Sequence, residues 1–374
     1  YEISCSLVGS EMCIRDSWET IESYNLGLDW GIFDNRLTGS FEYFIRNTKN
    51  MVGLSPELPN ILGTKVPVTN NTDLRTQGWE LVLGWRDYLD NGLNYSVNFN
   101  LSDARTKITR YPNNPTNAIK SNIEGHYMGE IWGYTTKGLA HSDEEMQNHL
   151  QSLPNGGQDA LGSDWRAGDI MYEDINGDGK ISFGKETLDD SGDKSIIGND
   201  TPRYLFGLDL SAGWKGVDVR AFFQGVMKRD MWQGGAYMFG SQSSVWNSSG
   251  IQAVDNYFRD ENSWSVQNDY RSVNVNAYLP RPLFDDKNRE CQTLYLQNAA
   301  YMRLKNLTVG YTLPASVTSK CGVQKLRVFF SGENLWTISG VSEQFDPETL
   351  TGGAYGGVGY PLSRTFSFGI NVTL

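Results

Sequence analysis

A chain of 374 residues with 44 acidic against 32 basic side chains carries a formal charge of -12, which leaves no basic patch for nucleic acid or another polyanion. No run approaches the roughly 18 consecutive apolar residues of a membrane-spanning helix, and 12% aromatic residues with 40 glycines favour turn-rich β structure over a helical enzyme core. The mean hydropathy of -0.45 still admits a membrane β-barrel, because alternating strands are only half apolar and polar loops dilute the average.

Tyr1 to Ser17 show no periodicity, contain Cys5 and Cys13, and lack the apolar core and cleavage site of a secretory signal. They are read as a foreign segment, leaving residues 18–374 as the fold. From Tyr24 to Gly31, Tyr24, Leu26, Leu28 and Trp30 alternate with Asn25, Gly27, Asp29 and Gly31. A tight turn at Phe33-Asp34-Asn35-Arg36 leads back through Leu37, Phe41, Tyr43 and Ile45, which makes a hairpin. After a polar loop to about Leu74, Trp79, Leu81, Leu83 and Trp85 run to a turn at Asp90-Asn91-Gly92, and Leu93, Tyr95, Val97, Phe99 and Leu101 return. Asn94, Ser96, Asn98, Asn100 and Ser102 occupy the other face. Five polar residues in succession suit a strand facing a wet lumen; a solvent-facing sheet laid over a core is the alternative.

The long segment from Asp103 to Thr201 holds a short helix starting at Ser142, where Ser142 and Glu145 form a capping box. Strands resume at Tyr204–Leu210, turn at Trp214-Lys215-Gly216 and return through Val217–Phe223. A second long loop runs from about Lys228 to Gln297. Leu307–Leu313 then turn across Pro314 to Gln324 and return through Leu326–Phe330. The last strand, Leu362 to Leu374, sets Phe366, Phe368, Ile370, Val372 and Leu374 against Thr365, Ser367, Gly369, Asn371 and Thr373. Short turns near 34, 91, 215 and 319 alternate with long loops near 60, 150, 260 and 350. This is the asymmetry of an outer-membrane barrel with short periplasmic turns and long extracellular loops. The expected fold is therefore all-β, a transmembrane antiparallel β-barrel segment of nine strands. An odd count implies a C-terminal segment of a larger barrel, since an open sheet would present unpaired backbone to lipid.

Several ordered segments carry a resemblance: Gly78-Trp79-Glu80-Leu81, Gly168-Asp169-Ile170, Tyr172–Ile181, Ile197–Tyr204, Tyr301–Tyr311 and Ser331-Gly332-Glu333-Asn334-Leu335. Together they resemble the C-terminal part of SusC/RagA-type TonB-dependent outer-membrane transporters of Bacteroidetes, over Trp18 to Leu374. The resemblance implies a 22-stranded barrel with a plug, a location in the bacterial outer membrane, import of oligosaccharides or peptides without covalent chemistry, a SusD-like lipoprotein lid, and drive from TonB through an N-terminal region that has no counterpart here. A soluble β-rich carbohydrate-binding or carbohydrate-active module and a siderophore-type TonB-dependent receptor are the other readings.

Asp174-Ile175-Asn176-Gly177-Asp178-Gly179-Lys180-Ile181 matches the start of a calcium loop. Asp174, Asn176 and Asp178 stand at positions one, three and five, and Lys180 offers its carbonyl at seven. Position twelve is Lys185, so Glu186 or one of Asp189 and Asp190 would complete a Ca2+ shell; an ordinary Asx turn is the alternative. Trp232, Tyr237, Phe239 and Trp246, with Trp264 and Tyr270 beyond, are candidates for stacking on a glycan or peptide substrate, against packing within the loop. Trp132 and Tyr134 carry the same ambiguity. His126, His141 and His149 have no metal or triad spacing. Cys291 and Cys321 fall at opposite ends of a strand, on the order of 25 Å apart, too far for a disulfide, which needs Cα atoms within about 7 Å.

Overall fold

Alternation of apolar and polar side chains builds one large antiparallel sheet in the computed structural model, which describes residues 18–54, 68–240, 254–351, 357 and 359–374. Residues 1–17 and the candidate Trp246 lie outside the described residues. In chain order the strands are β1 (Thr20–Ile32), β2 (Leu37–Leu54), β3 (Val68–Tyr88), β4 (Asn94–Arg110), β5 (Glu130–Tyr134), β6 (Thr136–Leu139), β7 (Ile170–Tyr172), β8 (Lys194–Asn199), β9 (Arg203–Trp214), β10 (Val217–Lys228), β11 (Asp230–Trp232), β12 (Leu296–Thr312), β13 (Lys325–Gly340) and β14 (Thr365–Thr373). The long strands pair in the order β1-β2-β3-β4-β9-β10-β12-β13-β14, with β11 added beside β12. These nine are the nine expected from the sequence, each antiparallel to its neighbour.

The turns form where the sequence places them. Trp214 pairs with Val217 around Lys215-Gly216, and both turn residues have positive φ, 47° and 87°. That is the handedness a two-residue hairpin needs to match the twist of its strands, and glycine adopts it without a Cβ penalty. The strands run further than expected at the opposite end. Leu54 pairs with Val68, so part of the predicted polar loop before Leu74 is ladder, and β12 begins inside the loop predicted to end at Gln297.

Register aligns the apolar faces into a belt. Leu28 faces Phe41, Phe41 faces Leu81, Leu81 faces Leu101 and Leu101 faces Phe206. On the far side Val309 lies between Val219 and Phe330, and Phe330 faces Phe368. The belt is bare: Leu26 is 75% exposed and Phe368 83%. So large a continuous apolar surface is untenable in water and natural in lipid. The opposite face is polar and cross-linked, with Ser96 and Ser211 hydroxyls 2.8 Å apart, Thr76 and Thr106 hydroxyls 2.9 Å apart, and Arg220 donating to Asp209 and Arg327 to Asp218.

The buried core lies elsewhere, in the long connections. Tyr134, Met146, Trp165, Ile170, Tyr172, Ile181, Phe239, Leu279 and Tyr295 share one cluster with Phe345 and Leu350. The segments between β4 and β9, between β10 and β12 and between β13 and β14 therefore fold together as one module at the end of the sheet away from the short turns. Its helix α1 (Asp143–Gln151) starts as expected: Ser142 Oγ accepts from Glu145 N–H at 3.1 Å. The Glu145 carboxylate reaches one residue past the cap, accepting from His141 N–H at 2.7 Å.

Candidate functional site

A buried charge knot organises the module. Asp169, fully buried, accepts from both Arg281 Nε and Nη2 at 2.8 Å, from Asn288 Nδ2 at 2.8 Å and from Arg166 N–H at 3.0 Å. Lys287 Nζ lies 3.1 Å from Asp169, donates to the Ser163 and Asp164 carbonyls at 2.7 and 3.0 Å, and sits 4.6 Å from the centre of the Trp165 ring. A buried carboxylate needs such compensation, and here two cations and two neutral donors provide it. The Gly168-Asp169-Ile170 segment thus binds the two long connections together, a role that sequence order alone does not reveal.

Above this knot opens a cleft of about 350 Å³ lined by Arg166, Tyr257, Asp260, Asn262, Trp264 and Arg281, among others. Trp264 is 69% exposed, yet it is held flat against Tyr270, ring centres 5.3 Å apart and planes 20° apart. Arg281 is spent on Asp169, whereas the Arg166 side chain is largely exposed, with Asp164 3.8 Å away. Asp260 accepts from Ser263 Oγ at 2.7 Å. The cleft therefore offers one buttressed aromatic face ringed by a guanidinium, a carboxylate and an amide.

The other aromatic candidates separate. Phe239 is a core residue, edge-on against Tyr295 at 5.1 Å, and the cluster buries its ring. Trp232 is half-buried and lies 6.2 Å from Phe239. Tyr237 is 50% exposed and stays available. Tyr134 is buried against Tyr172.

The candidate calcium residues accept backbone amides of their own turn. Asp174 accepts from Gly177 and Gly179 N–H at 2.6 and 2.8 Å, Asn176 from Asp178 N–H at 2.9 Å, and Asp178 from Lys180 N–H at 3.1 Å. Glu186 is held between Lys120 at 2.6 Å and Lys194 at 2.7 Å. The side chain that closes this segment is Asp193, which accepts from Ile175 N–H at 3.1 Å and Ser182 N–H at 2.7 Å. Burial pushes its carboxyl above the usual range against the pull of those amides. Among the described residues no three His, Cys, Asp or Glu side chains converge as metal ligands.

The histidines serve three separate local contacts. His126 pairs with Glu130 at 2.7 Å and His141 with Glu145 at 3.5 Å, while His149 meets Gln158 at 3.1 Å and burial holds it below the usual imidazole range, Gln158 pulling the other way. Cys291 is a free thiol. Burial, and then the Glu290 carboxylate, push it up to about 12, so iodoacetamide at mildly alkaline pH is expected to modify it only after unfolding; labelling of the folded protein at the rate of an exposed thiol would contradict that.

A sheet with an apolar belt on one face, a polar face behind it, short turns at one end and a folded loop module at the other defines a β-barrel wall of the outer-membrane type. The chain belongs to the TonB dependent receptor-like β-barrel family, whose model matches residues 16–335, and its sheet lies in the outer membrane. TonB-dependent receptor P3 of Formosa agariphila is 29% identical over 95% of this chain and 34% of its own length. TonB-dependent receptor SusC of Bacteroides thetaiotaomicron is 23% identical over 95% of the chain and 32% of its own. Among solved structures, the RagAB peptide transporter is similar with a TM-score of 0.64 at 23% identity, covering 95% of this chain and 35% of that one. The RagAB peptide importer in its open-open state gives 0.66 at 21% identity, covering 96% and 35%. The chain thus spans about a third of the length of the relatives it matches. These likenesses place the fold in the SusC/RagA type.

Proposed function

We propose that the whole protein is an energised outer-membrane importer of oligosaccharides that works with a SusD-like surface lipoprotein and is driven by TonB. The observation that carries the substrate class is the Trp264 cleft. A pyranose ring presents a C–H face to an aromatic ring and hydroxyls at its edge, and Trp264 with Arg166, Asp260 and Asn262 offers that combination of stacking surface, donors and acceptors. Peptides are the second reading, since the exposed Arg166 guanidinium suits a terminal carboxylate, and the similar solved RagAB is described as a peptide transporter and importer.

The test is uptake by cells carrying the full-length protein, using fluorescent oligosaccharides beside fluorescent peptides. Trp264→Ala is expected to weaken oligosaccharide capture about tenfold, the loss of one stacking contact of roughly 1–1.5 kcal/mol, with peptide uptake unchanged. Uptake should also stop when a protonophore collapses the energy source. Selective loss of peptide uptake would transfer the site to peptides. Recovery of the full-length protein in an aqueous extract without detergent would favour a soluble carbohydrate module, and uptake of an iron chelate alone a siderophore receptor.

A further inference from the structure

The outward face of β3 and β4 does not end with its apolar belt. The ladder between them is regular from Leu74 to Tyr88, so the side chains that follow Leu81 and Trp79 upward on the same face are Gln77 and Arg75. On β4 those that follow Leu101 are Asp103, Arg105 and Lys107. Arg75 stands directly opposite Lys107, and Arg105 opposite Gln77. Arg75, Arg105 and Lys107 are all exposed. Like charges placed opposite each other across a ladder destabilise it unless an anion lies between them.

Among the described residues the carboxylates nearby are already engaged. Asp103 is gripped by Arg203 through two hydrogen bonds, Glu22 pairs with Lys49 at 2.8 Å, and Asp73 accepts from Asn50 N–H at 2.7 Å. Arg75 has Asn47 as its partner, at 2.8 Å, and the Arg105 guanidinium carbon lies 3.7 Å from the centre of the Tyr127 ring. Beside them, where β4 and β9 part, a pocket of about 70 Å³ is lined by Arg105, Tyr127, Thr201, Arg203 and Lys228. In a chain of net charge -12, this is a local excess of cations on the side facing the membrane.

Its height identifies the occupant. At about 3.3 Å per residue along a strand tilted by about 40°, Arg105 stands roughly 5 Å above Trp79 and Arg75 roughly 10 Å above it, within reach of the headgroup zone for a long flexible stem. The headgroup zone occupies about 5–8 Å on each side of the hydrocarbon. We propose that Arg75, Arg105 and Lys107 form a docking surface for the phosphate group of an outer-leaflet amphiphile. The apolar chains of that lipid would lie along Trp79, Leu81 and Leu101, its phosphate would neutralise the opposed cations, and the long Arg and Lys stems suit such a boundary.

The experiment uses the full-length protein in detergent micelles, doped with phosphatidic acid or with phosphatidylcholine, and native mass spectrometry of the lipid retained. Wild type is expected to keep phosphatidic acid in preference to phosphatidylcholine, and to lose it as salt rises. The Arg105→Gln/Lys107→Gln double variant should retain phosphatidic acid at least about tenfold less well. Arg105→Lys/Lys107→Arg, which keeps both charges, should retain it as wild type does, and so should a Lys137→Gln/Arg271→Gln control. Heat-modifiable migration on a gel reports folding for each. Equal retention by wild type and the double variant overturns the proposal, as does retention insensitive to salt. Displacement of the lipid by inorganic phosphate at matched ionic strength overturns it in favour of a free-anion site.

Discussion

Replacing Asp169 by Ala is expected to open the loop module while leaving the sheet folded. The substitution strands Lys287, itself 2% exposed, together with the inner edge of Arg281, and removes the acceptor for Arg166 N–H and Asn288 Nδ2. Deleting one partner of a buried ion pair costs about 3–5 kcal/mol, because the remaining charge keeps its desolvation penalty and loses its compensation. The knot also ties residues more than 110 positions apart, so its loss separates two connections that share one core. In the full-length protein, limited proteolysis should then cut within 103–201 and 254–297, while heat-modifiable migration of the barrel persists. Asp169→Asn keeps an acceptor and should fall between the two. Gly168→Ala should reach the same end by another route. Gly168 has φ of 83°, and an added Cβ would lie 2.3 Å from Phe258 Cδ1, a ring that is itself buried, so the chain must shift. Wild-type resistance to protease in Asp169→Ala would show that the module is held by its apolar core alone.

The membrane half of this fold is legible in the sequence and the outer half is not, for one physical reason. Where a strand crosses lipid, one face must be apolar and the other wet, and the period of two is visible in Trp79–Trp85 against Glu80–Arg86. Beyond the lipid both faces meet polar surroundings. The continuation of β4 through Arg105, Lys107 and Arg110 therefore carries no alternation, although its ladder with β3 is unbroken as far as Leu74. The capping residue Ser142 was readable because a helix start is decided within four residues. The module core was not, since Tyr134 and Tyr172, Phe239, Leu279 and Tyr295, and Phe345 come from three connections and meet only in space. The same limit governs the site: an aromatic-rich loop is evident, but whether a ring packs inward like Phe239 or stands out like Trp264 depends on partners that local sequence does not name.

Arg303→Ala is expected to release the connection between β13 and β14 from the barrel wall. Arg303 projects from β12 and is 4% exposed. Its Nε donates to Thr337 Oγ1 at 2.8 Å and its Nη2 to Asp346 Oδ1 at 2.8 Å, and its Nη1 lies 3.0 Å from Glu348 Oε1. Asp346 in turn accepts from Leu362 N–H at 3.0 Å, so one guanidinium fixes both ends of the segment. Truncation leaves two largely buried carboxylates facing each other with Lys305, 3.0 Å from Glu348, as the remaining cation, at a cost of about 3 kcal/mol. Acid should imitate the substitution. Burial raises the Asp346 carboxyl, but the hydrogen bond from Arg303 and the backbone amides of Glu348 and Leu362 prevail and hold it below the usual carboxylate range. A group depressed in the folded state contributes stability that is fully present above its unfolded value, about 3.9, and is lost as pH falls through the folded value. Hydrogen exchange of residues 341–350 in the full-length protein should therefore speed up below about pH 4 in wild type. In Arg303→Ala the same amides should exchange rapidly already at neutral pH and show no further acceleration in that acid window. A variant that keeps the wild-type acid profile would mean that Asp346 is held by its backbone donors without help from Arg303.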